Sequence, residues 1–103
     1  MRKTELFKAD ARDLYEQINV PMVITEHKNR NKVIYAGFVP GLTKKDVLTT
    51  DYEECKAEIH KLTLELIKQV DVMPFFPTKE EILEDFDDVK AIMFLQIKSK
   101  VQQ

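Results

Sequence analysis

A chain of 103 residues, 44% hydrophobic and 33% charged, is long enough to bury a core of its own without disulfide or metal staples. Its net charge of −2 argues against the basic footprint of a nucleic-acid binder, its apolar runs are too short for a membrane span, and a single cysteine, Cys55, excludes an intrachain disulfide. The mixed-charge start Met1-Arg2-Lys3-Thr4-Glu5 lacks a secretory apolar core, so one cytoplasmic domain covering residues 1–103 is expected.

From Thr4 to Ile18 the residues Phe7, Ala11, Leu14 and Ile18 fall at helical spacing, with Leu6 and Tyr15 widening the stripe. This predicts an additional N-terminal helix within residues 1–19, stopped by Asn19-Val20-Pro21 because proline restricts the residue before it and donates nothing to a helix. Val20–Glu26 and Lys32–Val39 are rich in β-branched and aromatic residues and flank the polar segment Lys28-Asn29-Arg30-Asn31, which predicts an antiparallel hairpin. Both faces of the second strand carry apolar residues, so helices should cover one of them. Pro40-Gly41 ends that strand, and Val47-Leu48-Thr49 is a candidate third strand.

Thr50 or Asp51 caps the next helix, with Glu53 or Glu54 three residues on as its capping-box partner. Tyr52, Cys55, Ile59, Leu62 and Leu66 form its apolar stripe, flanked by Leu64 and Ile67. The prolines of Met73-Pro74-Phe75-Phe76-Pro77 make the following segment irregular. Thr78 and Glu81 then start a short acidic helix carrying Ile82, Leu83 and Phe86 and closed by Asp87-Asp88, before a final strand, Ala91–Ile97. The fold class expected is α+β: a small antiparallel sheet of three or four strands packed against one long helix, with the extra N-terminal helix.

No catalytic set stands out. His27 lies at a strand end and His60 on the long helix, and neither has the HxxxH, CxxC or His-carboxylate spacing of a metal or acid-base site. Cys55 faces the core, where a free cysteine packs as a small hydrophobe. Gly37 and Gly41 are the only glycines and form no phosphate loop. No catalytic, cofactor-binding or metal-binding residue is therefore assigned, and the chain is read as a binding protein and not as an enzyme.

The acidic run Glu80, Glu81, Glu84, Asp85, Asp87, Asp88 is the densest charge feature. It lacks the alternating ligands and central glycine of an EF-hand loop. Two readings remain for it, a solvated helix face or a docking surface for a basic partner, and in the second the partner-binding residues are Glu84, Asp85, Asp87 and Asp88. Arg2, Lys3, Lys8 and Arg12, with Lys28, Arg30 and Lys32 in the hairpin turn, are either dispersed solubilising charge or a basic surface near Tyr15 or Tyr35.

From Val20 onward, the order of three strands, long helix, proline-containing connection and strand resembles the N-terminal domain of HicB-type antitoxins. The likeness is carried by Phe38-Val39-Pro40-Gly41-Leu42, by the helix start Asp51-Tyr52-Glu53-Glu54-Cys55, and by Met73-Pro74-Phe75-Phe76-Pro77-Thr78 ahead of an acidic helix and apolar strand. The chain departs from the family's pattern at Thr43-Lys44-Lys45-Asp46, where a glycine-containing turn is usual, and in its N-terminal helix. With Gln103 following soon after the last strand, it looks like a short form lacking the family's C-terminal DNA-binding domain. The resemblance implies an antitoxin that binds a small, basic, HicA-like mRNA-cleaving toxin and covers its active site. No cofactor and no membrane are expected from the sequence, operator DNA is not expected as a partner, and a homodimer is a further state. Alternatives are a nucleic-acid-binding regulator using the first helix and hairpin, or an orphan homodimerising scaffold without a toxin partner.

Overall fold

A computed structural model of the chain describes residues 15–71 and 73–100; the side chains of 15–17 and 98–100 are outside that description. Four strands, β1 (Tyr15–Asn29), β2 (Lys32–Phe38), β3 (Val47–Thr49) and β4 (Val89–Lys100), form one antiparallel sheet in the order β3-β2-β1-β4. Two helices pack on it, α1 (Tyr52–Gln69) and α2 (Lys79–Asp85). This is the α+β architecture expected, with the sheet at the upper end of the predicted strand number and a second, short helix beside the long one.

The expected helix from Thr4 to Ile18 falls mostly outside the described residues, and its last four residues are corrected: Tyr15–Ile18 are strand. They pair with Lys100–Ile97, and the period-two series Ile18, Val20, Met22, Ile24 continues through them. Cross-strand pairing with a segment some eighty positions away outweighs the local helical spacing, a tertiary override that no local window reveals. Pro21 consequently lies well inside β1 instead of at its start. It is tolerated because the β2 register stops at Val23↔Phe38, so no strand among the described residues requires an N–H from Pro21 on that side.

The register divides the side chains between two faces, since directly opposed residues point the same way. One face carries Ile18, Val20, Met22 and Ile24 of β1, opposed by Ile97, Leu95, Met93 and Ala91 of β4, with Gly37 of β2 opposite Ile24. α1 covers this face, and Val20, Ile24, Val39, Cys55 and Ile59 are fully buried there. Gly37 permits the close approach: a Cβ at that position would lie 3.0 Å from Cys55 Sγ and 3.2 Å from Ile59 Cβ. The predicted stripe of α1 holds at Cys55 and Ile59, while Leu62 and Leu66 are only partly buried and Leu64 is exposed. Thr63, absent from the predicted stripe, is fully buried instead and satisfies its hydroxyl by donating to Ile59 O at 2.6 Å.

Of the two candidate caps for α1, Asp51 is the one used: its carboxylate accepts from Glu54 N at 3.1 Å. α2 starts as expected, with a complete capping box in which Thr78 Oγ1 accepts from Glu81 N and Glu81 Oε1 accepts from Thr78 N. It stops earlier than expected, at Asp85. Phe86 serves as the C-cap, its N–H donating to Ile82 O, and Asp87-Asp88 belong to the connection into β4.

Candidate functional site

The opposite face of the sheet presents Val23, Thr25 and His27 of β1 and Phe38 and Ala36 of β2. At its centre Val23 is fully buried and Thr25 and Ala36 are nearly so. Ile82 of α2 is fully buried, and Phe86 at the end of α2 meets Phe38 at 4.9 Å between ring centroids, tilted by 55°, a favourable edge-on arrangement. Beside this aromatic pair opens a cleft of about 530 Å³.

Three parts of the chain build the cleft. β1 supplies Thr25 and His27, whose Oγ1 and Nε2 lie 2.8 Å apart. The Thr25 hydroxyl is nearly buried and also reaches Ala36 O at 3.5 Å; giving its proton there makes His27 Nε2 the donor of the shorter bond. The β2–β3 loop supplies Val39, Pro40, Thr43 and Asp46. That loop is held by Leu42 N and Thr43 N, both donating to Val39 O at 3.0 Å, and by Thr43 Oγ1, which accepts from Val39 N at 3.1 Å. Gly41 takes the left-handed φ of 85° the turn requires.

The α2–β4 connection supplies Asp85, Phe86, Asp87 and Asp88. Asp88 adopts a φ of 59°, and its carbonyl accepts from Glu26 N at 2.9 Å beside the register shift between Ile24 and Thr25. Aspartate is among the few side-chain-bearing residues that take this conformation readily. The irregularity thus anchors the acidic turn to β1 at the cleft margin.

Of the four residues predicted for partner binding, Asp85, Asp87 and Asp88 meet at the cleft, while Glu84 is exposed on α2 and does not line it. Asp46 joins them, although in the sequence it stands alone after two lysines. The aromatic pair Phe38–Phe86 and the Thr25–His27 pair were likewise not legible as site components. Their only sequence signal is the two-sided apolar character of β2, which requires cover on both faces. Among the described residues no lysine or arginine lines the cleft, and its charged lining is acidic.

Of the other candidates, Cys55, His60, Lys28, Arg30 and Lys32 do not line the cleft. Cys55 is fully buried under Gly37, and burial pushes its thiol up, opposed in part by a hydrogen bond with Thr49. His60 is exposed on α1. Lys28, Arg30 and Lys32 are exposed around the β1–β2 turn, and Arg2, Lys3, Lys8 and Arg12 lie outside the described residues. Tyr35 and Tyr52 pack at 5.6 Å, with Lys56 and Lys90 over the Tyr52 ring at 5.4 and 5.8 Å, so aromatic and cation–π contacts tie the start of α1 to the sheet. Loss of hydration raises the Tyr35 phenol, helped by its hydrogen bond to Glu26.

Among the described residues no group of three or more His, Cys, Asp or Glu side chains is arranged to hold a metal ion, and no helix is long and apolar enough to cross a membrane. The cleft's carboxylates are spread around a rim and do not converge on a point, an arrangement that suits an extended cation such as a lysine- or arginine-bearing segment better than a single ion. Compared with protein-family models, curated protein sequences and solved structures, the chain matches none.

Proposed function

We propose that this chain is a protein-binding module that receives a basic segment of its partner in the acidic cleft, acting by covering that partner and performing no chemistry itself. The observation that carries the reading is that Asp46, Asp85, Asp87 and Asp88, from two separate connections, line one cleft together with the Phe38–Phe86 pair. Carboxylates at a rim steer a basic partner into place, and an apolar floor provides the desolvated contact that holds it. The order of strands, capped long helix and proline-containing connection, together with the quoted motifs, supports a HicB-type antitoxin reading, in which the partner is a small basic mRNA-cleaving toxin and binding occludes its active site.

The test uses a purified HicA-type toxin, an mRNA cleavage assay and association kinetics. The full chain is expected to suppress cleavage at equimolar ratio. Replacing Asp85, Asp87 and Asp88 together with Asn should slow association at low salt while leaving the denaturation midpoint nearly unchanged. The difference should shrink as salt rises, because exposed charges are screened over roughly 8 Å at physiological ionic strength. Cleavage that continues in an excess of the chain overturns the toxin assignment, and equal association rates for both proteins at low salt overturn the role of the cleft.

A further inference from the structure

The sheet has three margins without a neighbouring strand among the described residues, and two of them carry the features that block edge-to-edge pairing. β3 is three residues long. The β1 margin from Tyr15 to Met22, beyond the reach of β2, bears Asn19 and Pro21. β4 differs. It runs for twelve residues, and between Lys90 and Lys98 the sequence Ala91-Ile92-Met93-Phe94-Leu95-Gln96-Ile97 contains no charge, no proline and no glycine.

This bare edge also carries apolar surface. Phe94 is 42% exposed, and Ala91, Ile92, Met93, Leu95 and Ile97 are each only partly buried. α1 lies over β2, β3 and β1 and leaves β4 at its margin, so a groove of about 370 Å³ runs between Lys56, Ala57 and His60 of the helix and Met22 and Met93 of the sheet. A strand arriving beside β4 would meet no obstruction from α1.

We infer that β4 is the interface of a symmetric homodimer, in which the β4 strands of two copies pair antiparallel across a two-fold axis at Met93 to make one continuous eight-stranded sheet. A two-fold axis normal to the sheet requires paired residues to share a face, so only registers joining odd with odd and even with even positions are allowed. Centred on Met93, Ile92 stands opposite Phe94 of the partner subunit, twice. Ala91 then faces the second copy's leucine at position 95, and the pairing ends there, because the register shift beyond Ala91 puts Lys90 and Val89 out of step with the odd and even order. From Ala91 to Leu95 every apolar residue meets an apolar one, and no like charges oppose. Centring on Phe94 sets Ile92 against glutamine; centring on Ile92 leaves Phe94 opposite the irregular position Lys90. Cross-strand complementarity therefore selects the Met93 register.

The interface is separate from the acidic cleft, so its failure and that of the proposed function are distinguishable. Sedimentation of the full chain should give twice the 12.1 kDa chain mass at tens of micromolar. The double variant Ile92→Lys, Phe94→Lys places like charges opposite one another and should be monomeric. The double variant Ile92→Lys, Phe94→Glu pairs opposite charges in this register and should restore the dimer, which a variant impaired only in folding would not do. As a second measurement, Met93→Cys should form an intersubunit disulfide on mild oxidation, since directly opposed strand residues lie within disulfide reach, whereas Lys90→Cys should not. A monomeric wild type overturns the inference, including one whose β4 amides are protected because residues 1–14 cover the edge. So does a dimer that survives the two-lysine variant, or one lost in that variant that the Lys/Glu pair does not restore while Met93→Cys fails to cross-link.

Discussion

The two faces of the sheet are built to different standards. Beneath α1, Val20, Ile24, Cys55 and Ile59 are completely buried, and Gly37 lets helix and strand approach until no room for a methyl group remains. On the cleft face a helix of seven residues contributes one fully buried side chain, Ile82, and leaves Leu83 51%, Phe86 36% and Phe94 42% exposed. The first face holds the fold. The second buries Pro21 and Val23 but leaves apolar surface accessible towards the acidic turn, which is where recognition normally sits because contact groups must remain reachable.

The largest expected effect tests the tight face. Ile59→Ala removes a fully buried side chain from the centre of the α1 packing and should lower stability by about 2–5 kcal/mol, read as the shift in denaturation midpoint. Leu62→Ala, at a half-buried position on the same helix, should cost clearly less. Equal costs would mean that the burial difference along α1 does not control stability.

Next comes Gly37→Ala. The new methyl group would sit 3.0 Å from Cys55 Sγ and 3.2 Å from Ile59 Cβ, so the helix must shift outward, an overpacking cost of about 1–3 kcal/mol. Pairing it with Cys55→Ala should recover part of the loss by freeing the nearer contact. No recovery would place the constraint at Ile59 instead.

A smaller and more local effect is expected on the cleft face. Thr78→Ala removes the capping-box hydroxyl of α2 and should cost about 1 kcal/mol. Hydrogen exchange should quicken at the amides of Glu81 and Ile82 while α1 amides remain protected. Uniform acceleration across both helices would show that the two faces unfold as one unit and that the contrast between them is not energetic.

The last effect sharpens the tight face through pH. Burial raises the Cys55 thiol above its ordinary value of 9.0, and loss of hydration raises the Tyr35 phenol above 10.0. In each case the unfolded chain releases its proton first, so above those values it binds fewer protons than the folded chain and stability falls as pH rises. The decline should begin near pH 9 with Cys55 and be joined near pH 10 by Tyr35, ending as pH passes each folded value. Cys55→Ala should flatten the earlier part, measured as melting temperature against pH. An unchanged slope would assign the decline to other groups.

Local chemistry announced much of this. Asp51 and Thr78-Glu81 mark the starts of both helices because side-chain acceptors at those positions satisfy free backbone N–H groups within a few residues, and β2, β3 and β4 follow from short-range composition and alternation. Three of the four acidic residues of the cleft were also visible, since Asp85, Asp87 and Asp88 are close enough in sequence to be seen as a cluster. What sequence windows could not contain was any decision made between distant segments. Tyr15–Ile18 reads as the end of a helix until Ile97–Lys100 offers it a strand partner. Thr63 looks polar until its hydroxyl finds Ile59 O and its methyl faces the core. Asp46 belongs to no cluster until the β2–β3 loop folds against the α2–β4 connection. Caps, turns and periodicity are fixed by interactions over three or four residues, so the sequence by itself determined the elements. Register, the choice of which face is sealed and the assembly of the cleft depend on contacts across the whole chain, and only the tertiary structure decided them.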